Sequence, residues 1–274
     1  MENAKHLKHN RSKCSVITLH NAGGVGKTTS EIALIEACFH RGIEPAIYSG
    51  DKNHTELVRV YGEKAHNFDV RTNPSAFINA LESPNKLTAI DTPSAFVDIW
   101  SETLGDVDTV LSTHEMVDDM PFYMIPIATP DKCIKAVNRI ASLFSGAQGD
   151  YRIIYVLNEG LMSTNGVKES LLQEFFSNKA VIANLESGRA TTLRIETKFT
   201  SKFSDIMKTQ RLREFINTKG DLMERALAHK FLRETDDQFA QILGLPELDN
   251  RTDMEKGLGV DITAKFTGKD PKRK

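Results

Sequence analysis

At 274 residues with 40% apolar side chains, the chain has material for one large α/β domain, or for such a domain with a modest C-terminal addition. A formal net charge of -2 excludes a strongly basic protein while leaving room for a local basic face. Three cysteines without paired spacing, Cys14, Cys38 and Cys133, exclude a disulfide framework and a zinc knuckle; each lies in an apolar segment, which implies buried free thiols in a reducing compartment.

Residues 1–13 are polar and basic with no apolar core, so they read as a flexible tail and not as a signal peptide. No apolar run approaches the length of a membrane span, and the expectation is a soluble, cytoplasmic protein with no membrane partner. Cys14–His20 reads as a short apolar strand, followed by Asn21-Ala22-Gly23-Gly24-Val25-Gly26-Lys27-Thr28-Thr29. A helical pattern then carries Ile32, Ala33, Ile35, Ala37 and Phe39 to an end near Arg41-Gly42. Strand, Gly-rich turn and a helix beginning on Gly-Lys-Thr form a phosphate-binding loop. The glycines let main-chain N–H groups turn inward, and the helix N-terminus adds positive field. Residues Gly23, Gly24, Val25, Gly26, Lys27, Thr28 and Thr29 would cradle a nucleotide, with Lys27 on a β- or γ-phosphate and Thr28 on Mg²⁺. A standard loop has Gly five places before Gly26; here Asn21 stands there, a residue that tolerates unusual backbone angles.

Pro45–Ser49 is a second strand that delivers Gly50-Asp51-Lys52-Asn53-His54 to its carboxyl end, where open parallel sheets place ligands. Asp51 there can orient water or contact Mg²⁺; a plain solvent-facing turn is the alternative. Residues 55–62 and 74–83 read as short helices around a variable connection, and Leu87–Ile90 as a strand ending in Asp91-Thr92-Pro93-Ser94. Asp91 at that edge can hold a Mg²⁺-bound water, and Pro93 marks the chain's exit from the sheet. From Asp91 through Asp119 there are eight acidic residues and no lysine or arginine, so most must face water as a solvated surface or as a docking face for a basic partner.

Within that stretch Asp108–Ser112 reads as a short strand, and Phe122–Ile127 as another. Residues 131–145 follow helical spacing through Cys133, Ile134, Val137, Ile140, Ala141 and Phe144. Arg152–Leu157 is a strand ending in Asn158-Glu159-Gly160, where Asn158 can recognise adenine through its amide or cap the turn. A helix over 167–178 precedes Ala180–Leu185, read as the last strand. The β-then-α alternation with near-continuous apolar strands supports an α/β fold with a mostly parallel sheet covered by helices on both faces, which together with the phosphate-binding loop reads as a P-loop NTPase.

Segment 186–225 carries nine Lys/Arg against six Asp/Glu. Lys198, Lys202, Lys208, Arg211 and Arg213 cluster there and could contact DNA phosphates, with ordinary helix solvation as the alternative. Residues 219–243 are helical, with Leu222, Ala226, Leu227, Phe231, Phe239 and Ile242 placed to cover the core or to meet another subunit. The compact part is expected over 14–245, with 246–274 a mobile basic tail that has no apolar face for a membrane anchor.

Gly23-Gly24-Val25-Gly26-Lys27-Thr28-Thr29 resembles the deviant phosphate loop of the ParA/MinD group of ATPases, which serve DNA partition, conjugation and positioning. Asp51 resembles the group's water-positioning acid, with Ser49 where a first acid would fall. Asp91-Thr92-Pro93 resembles its Mg²⁺-linked switch, Ile125–Pro130 its strand-Pro segment near the nucleotide, and Asn158 its adenine-side asparagine. The likeness spans about 15–160. It implies ATP and Mg²⁺ as ligands, Lys27, Asp51 and Asp91 as catalytic residues, and segments 51–62 and 91–99 as sensors of the γ-phosphate. It also implies an ATP-dependent homodimer and a DNA-bound adaptor in plasmid partition or conjugation. Where the group has a signature lysine before the double glycine, this chain has Ala22; losing such a cation could cost several orders of magnitude in phosphoryl-transfer rate. Lys52 is a conceivable substitute. The competing classes are a P-loop kinase, with Arg189 and Arg194 as lid residues, and a nucleotide-binding structural or regulatory protein with little hydrolysis.

Overall fold

The computed structural model describes residues 11–51, 55–218 and 220–248. Among these residues seven strands form one sheet: β1 (Lys13–Thr18), β2 (Ala46–Ser49), β3 (Ala65–Asn67), β4 (Leu87–Asp91), β5 (Asp119–Ile127), β6 (Arg152–Leu157) and β7 (Ala190–Arg194). Their order is β3-β2-β4-β1-β5-β6-β7, and every pairing is parallel. The strands β1, β4 and β5 are buried on both faces nearly throughout, which is why their sequences run apolar without alternation.

The helices are α1 (Lys27–His40), α2 (Glu56–Tyr61), α3 (Pro74–Leu81), α4 (Phe96–Thr103), α5 (Val107–Met116) and α6 (Pro130–Leu143). They continue as α7 (Glu159–Thr164), α8 (Lys168–Ser177), α9 (Lys179–Glu186), α10 (Ser201–Met207), α11 (Leu212–Ile216) and α12 (Leu222–Leu243). One face of the sheet packs against α1, α2 and α10 to α12, centred on Val16, Ala89, Phe122, Phe203 and Phe231. The other packs against α3 to α9, with Ile17, Ile90, Tyr123, Phe96 and Trp100 at its heart. The expected fold class is what is found.

Two expected strands are helices. Residues 108–112 lie in α5, whose N-cap Asp106 accepts from Thr109 N at 2.8 Å and whose Val107, Val110, Leu111 and His114 bury one helical face. Residues 180–185 lie in α9, capped by Asn178, which accepts from Ala180 N at 3.0 Å; only Val181 of that helix is buried. The last strand is instead β7, and the three-residue edge strand β3 fills part of the expected variable connection.

The long α12 lies along α1 and closes the core. Buried Asp236 on α12 takes Arg41 Nη2 and His40 Nδ1, each at 3.0 Å, and so ties the two helices together. Phe231, Phe239 and Ile242 are buried as expected, whereas Leu222 is 77% exposed and Ala226 is exposed too. All three cysteines are free and buried. Among the described residues no helix is long and apolar enough to cross a membrane. Residues 1–10 and 249–274, most of the two expected tails, lie outside the described residues, while Lys13 of the expected N-terminal tail opens β1.

Candidate nucleotide site

The carboxyl ends of β1, β2 and β4 come to one edge because their registers align Thr18 and Ser49 with Asp91. The loop after β1 turns there on Gly24 (φ +73°) and Gly26 (φ +92°), left-handed positions that a Cβ would strain. Asn21 is not left-handed; its amide donates to Asp98 Oδ1 at 3.0 Å, fastening the loop to α4. Val25 turns into the core, 1% exposed, so its contribution to a ligand is through the main chain.

A cleft of about 370 Å³ opens over this loop. Gly23, Gly24, Gly26, Lys27, Thr28 and Thr29 line it, together with Asp51, Asp91 and Asn158, so the expected site residues meet apart from the side chain of Val25. Phe199, Ser204, Met207 and Lys208 line it too, from the segment after β7 and from α10 and the turn that follows.

Lys27 Nζ donates to Ala22 O at 3.2 Å and to Ser94 Oγ at 3.3 Å. Burial lowers its pKa, against the raising influence of Asp91, Asp51 and Glu56. Thr28 Oγ1 donates to Asp91 Oδ2 at 3.0 Å, while the buried Asp91 Oδ1 has no partner. Burial pushes the Asp91 carboxyl up to about 6, with Lys27 and Thr28 pulling the other way. A buried carboxylate oxygen without a donor, beside a threonine hydroxyl, is a donor set that suits a hydrated divalent cation. The residues therefore fit Mg²⁺ at Thr28 and Asp91.

Two groups beneath the loop went unread in the sequence. His20 Nδ1 accepts from Ala22 N at 3.0 Å; burial, then Lys27 and Lys132, lower its pKa to about 4, so the ring is neutral. Glu31 on α1 is fully buried and accepts from Thr18 Oγ1; burial, reinforced by Asp91, raises its pKa well above the usual range. Neither carries a motif, although His20 stands directly before the loop.

Asn158 caps α7, its Oδ1 accepting from Leu161 N at 3.0 Å, and its Nδ2 lies 3.5 Å from where a Cβ on Gly26 would sit. The capping role is thus real, and the amide nitrogen still faces the loop. Arg189 stacks 5.1 Å from the Tyr151 ring and Arg194 pairs with Glu159 at 2.9 Å; neither lines the cleft, so neither is a lid over it. Lys52 lies outside the described residues.

The expected basic patch is not one free surface. Arg211 and Arg213 turn inward to buried Glu36, each Nε 3.7 Å from its carboxylate, and Lys202 pairs with Asp221 at 2.7 Å. Lys208 faces the cleft, leaving Lys198 exposed on the outside. On the acidic stretch, Asp91 and Asp119 are buried, the latter 2.6 Å from His114 Nδ1, and the other six acids are exposed.

The fold is an α/β fold with a parallel central sheet flanked by helices on both faces, as in P-loop NTPases. Similar solved structures include McdA of Cyanothece without nucleotide, 12% identical over 85% of this chain and 100% of that one, with a TM-score of 0.50. The MinD cell division protein of Aquifex aeolicus is 12% identical over 87% of this chain and 100% of that one, at a TM-score of 0.47. FtsY of Thermotoga maritima is 14% identical over 84% of this chain and 72% of that one, at 0.42. No family model matches the chain, and no curated protein matches it in sequence.

Proposed function

We propose that the protein is a nucleotide-dependent molecular switch that binds Mg·ATP in this cleft and hydrolyses it slowly. The observation that carries the reading is the Thr28–Asp91 contact beside Lys27, with Asp91 Oδ1 left without a donor at the loop. Gly23 to Thr29 would present main-chain N–H groups to the phosphates, with Lys27 exchanging Ala22 O and Ser94 Oγ for phosphate oxygens. Mg²⁺ held by Thr28 and Asp91 would neutralise charge on the β- and γ-phosphates. Asp51 would orient the attacking water, and Asn158 would offer its amide nitrogen to the base.

Switching follows from the parts that touch Lys27 and Asp91. Ser94 lies next to Ala95, a left-handed residue (φ 64°) at the start of α4, and Arg71 Nη2 holds the Ser94 carbonyl at 3.0 Å. Drawing Lys27 off Ser94 would free that corner, so 91–99 is a natural relay of nucleotide state. We extend the proposal to an ATP-favoured homodimer acting in plasmid partition or conjugative transfer with a DNA-bound adaptor; the resemblance of the loop, Asp51 and Asp91 segments supports it. Non-specific DNA contact has narrower support, from Lys198 and from Lys202, Arg211 and Arg213 only if their ion pairs open.

A second reading, tight nucleotide binding with almost no turnover, is favoured by one observation: Ala22 brings no cation to the loop. Sizing and phosphate release with ATP and with ADP, each with and without duplex DNA, separate the two. The switch predicts ATP-dependent dimerisation with slow phosphate release. Binding with no release supports the second reading, and a single sizing profile under all conditions refutes the switch.

A further inference from the structure

The two ends of the cleft differ in chemistry, and strand order sets which is which. Asp51 and Asp91 follow β2 and β4 on one side of the loop, whereas Asn158 follows β6 and Phe199 follows β7 on the other. A nucleotide whose phosphates lie on the glycine loop, with its metal at Thr28 and Asp91, therefore carries its base toward β6 and β7. The lining at that end is largely apolar: Leu161 of α7, Phe199, and Met207 of α10. Main-chain contact fixes how these segments meet, because Gly160 N donates to Ile195 O at 3.0 Å and a Cβ on Gly160 would strike Thr197 O. Phe199 is braced by Phe203 and Phe231, with ring centroids 5.5 and 5.9 Å away, and is only partly buried. It thus offers a ring held in place on which a planar base can stack.

The polar side chains at that end do not tell one purine from the other. Adenine and guanine share the N7 acceptor and differ at position 6, an amino donor in the first and an oxo acceptor in the second. Leu161 N donates to Asn158 Oδ1 at 3.0 Å, which turns that oxygen toward α7 and leaves Nδ2 toward the loop. The acceptor that could read a 6-amino group is thereby engaged, and the remaining donor suits N7 of either base. Ser204 Oγ can both donate and accept, so it meets an amino or an oxo group equally. Lys208, exposed where it lines the cleft, has donors alone and is solvated as readily by water as by an oxo group.

We infer that the cleft holds purine nucleotides by stacking the base on Phe199 and accepts guanine about as readily as adenine. The inference rests on the reading of the cleft as an Mg·nucleotide site and widens its ligand from ATP to both purine triphosphates. A site built to hydrogen-bond one base edge rejects a base lacking the partner group by about 10⁴-fold, because its own buried polar groups are left unpaired. Among the described residues that line this end, no side chain imposes that penalty. Stacking is indifferent to the substituent at position 6 and weakens with a smaller ring system, so pyrimidines are held less well.

The test is calorimetric titration of the wild type with Mg·ATP, Mg·GTP and Mg·CTP, repeated for Phe199→Ala and Phe199→Leu. Circular dichroism and urea midpoints verify that each variant is folded, and if neither folds the wild-type ratios decide. Wild-type affinities for ATP and GTP are expected within about tenfold of each other, with CTP about tenfold weaker than both. Each Phe199 variant is expected to lose about tenfold for both purines and to keep their ratio. A preference for ATP or for GTP beyond about tenfold overturns the inference alone. So does CTP bound as tightly as the purines, or unchanged purine affinity in a folded Phe199 variant. A wild type that takes up neither ATP nor GTP overturns the site reading and this inference together.

Discussion

Replacing Asp91 with asparagine is expected to stabilise the nucleotide-free protein above neutrality while disabling its site. The carboxyl sits at the end of β4, 5% exposed, and burial pushes its pKa from 3.8 to about 6. A difference of about two pKa units corresponds to roughly 3 kcal/mol. Between pH 4 and 6 the folded protein keeps a proton that the unfolded chain has released. Folding therefore gains as pH falls through 6, with the full gain in place below about 4, and above 6 the fold carries a buried charge at that cost. Asparagine keeps an acceptor for Thr28 Oγ1 and has no charge to bury. Urea unfolding without nucleotide or Mg²⁺ should show Asp91→Asn more stable than the wild type by up to about 3 kcal/mol at pH 8, the gap closing toward pH 4. Mg·ATP should reverse the order at pH 8, because ligand binding stabilises only a protein that retains the site. A variant less stable than the wild type at pH 8, or a gap that does not change with pH, refutes the reasoning. The pattern is that of a functional group kept at the expense of stability.

His20 should show the opposite pH sense: its pKa falls from 6.5 to about 4, so its contribution is whole above 6.5 and is lost as pH drops toward 4. In the same urea series the wild type should lose roughly 3 kcal/mol relative to His20→Asn between pH 7 and 4, and a flat difference would refute the assignment. Gly160→Ala would place a Cβ 1.9 Å from Thr197 O and 2.6 Å from its carbonyl carbon, both main-chain atoms, so the segment leading to Phe199 must move. The expected cost is about 3 kcal/mol, a fall of roughly 6–12 °C in Tm, with weakened nucleotide binding; a Tm within a degree of the wild type contradicts it. Asn178→Ala should cost about 1 kcal/mol by removing the α9 cap, whereas Asn178→Asp should keep most of it, as read by thermal unfolding.

The parts of the fold legible in the sequence were those written in main-chain and burial chemistry. Parallel strands covered on both faces read as apolar runs, and β1, β2, β4, β5 and β6 were all visible as such. The loop was legible because it turns on the left-handed positions of Gly24 and Gly26, which favour glycine. The two helices read as strands failed for a definable reason: β-branched residues at Thr109, Val110, Val181 and Ile182 outweighed caps standing in plain view at Asp106 and Asn178. For α5, the spacing 107, 110, 111, 114 was the better guide. The edge strands were missed because β3 has one buried residue and β7 two. At the site, Asp51, Asp91 and Asn158 were found through their positions at strand ends. Phe199 and Lys208 were not, since the segment through α10 reaches the cleft only through tertiary packing. The basic cluster misled for the same reason: partners such as Glu36 lie 175 or more residues away and leave no local mark.

The most direct measurement is calorimetric titration of the wild type and Lys27→Ala with Mg·ATP. The account predicts saturable uptake of one nucleotide per chain by the wild type and an affinity about 100-fold lower once the ammonium is removed. Equal affinities in the two proteins, or no uptake of ATP or GTP by the wild type in the presence of Mg²⁺, would contradict it.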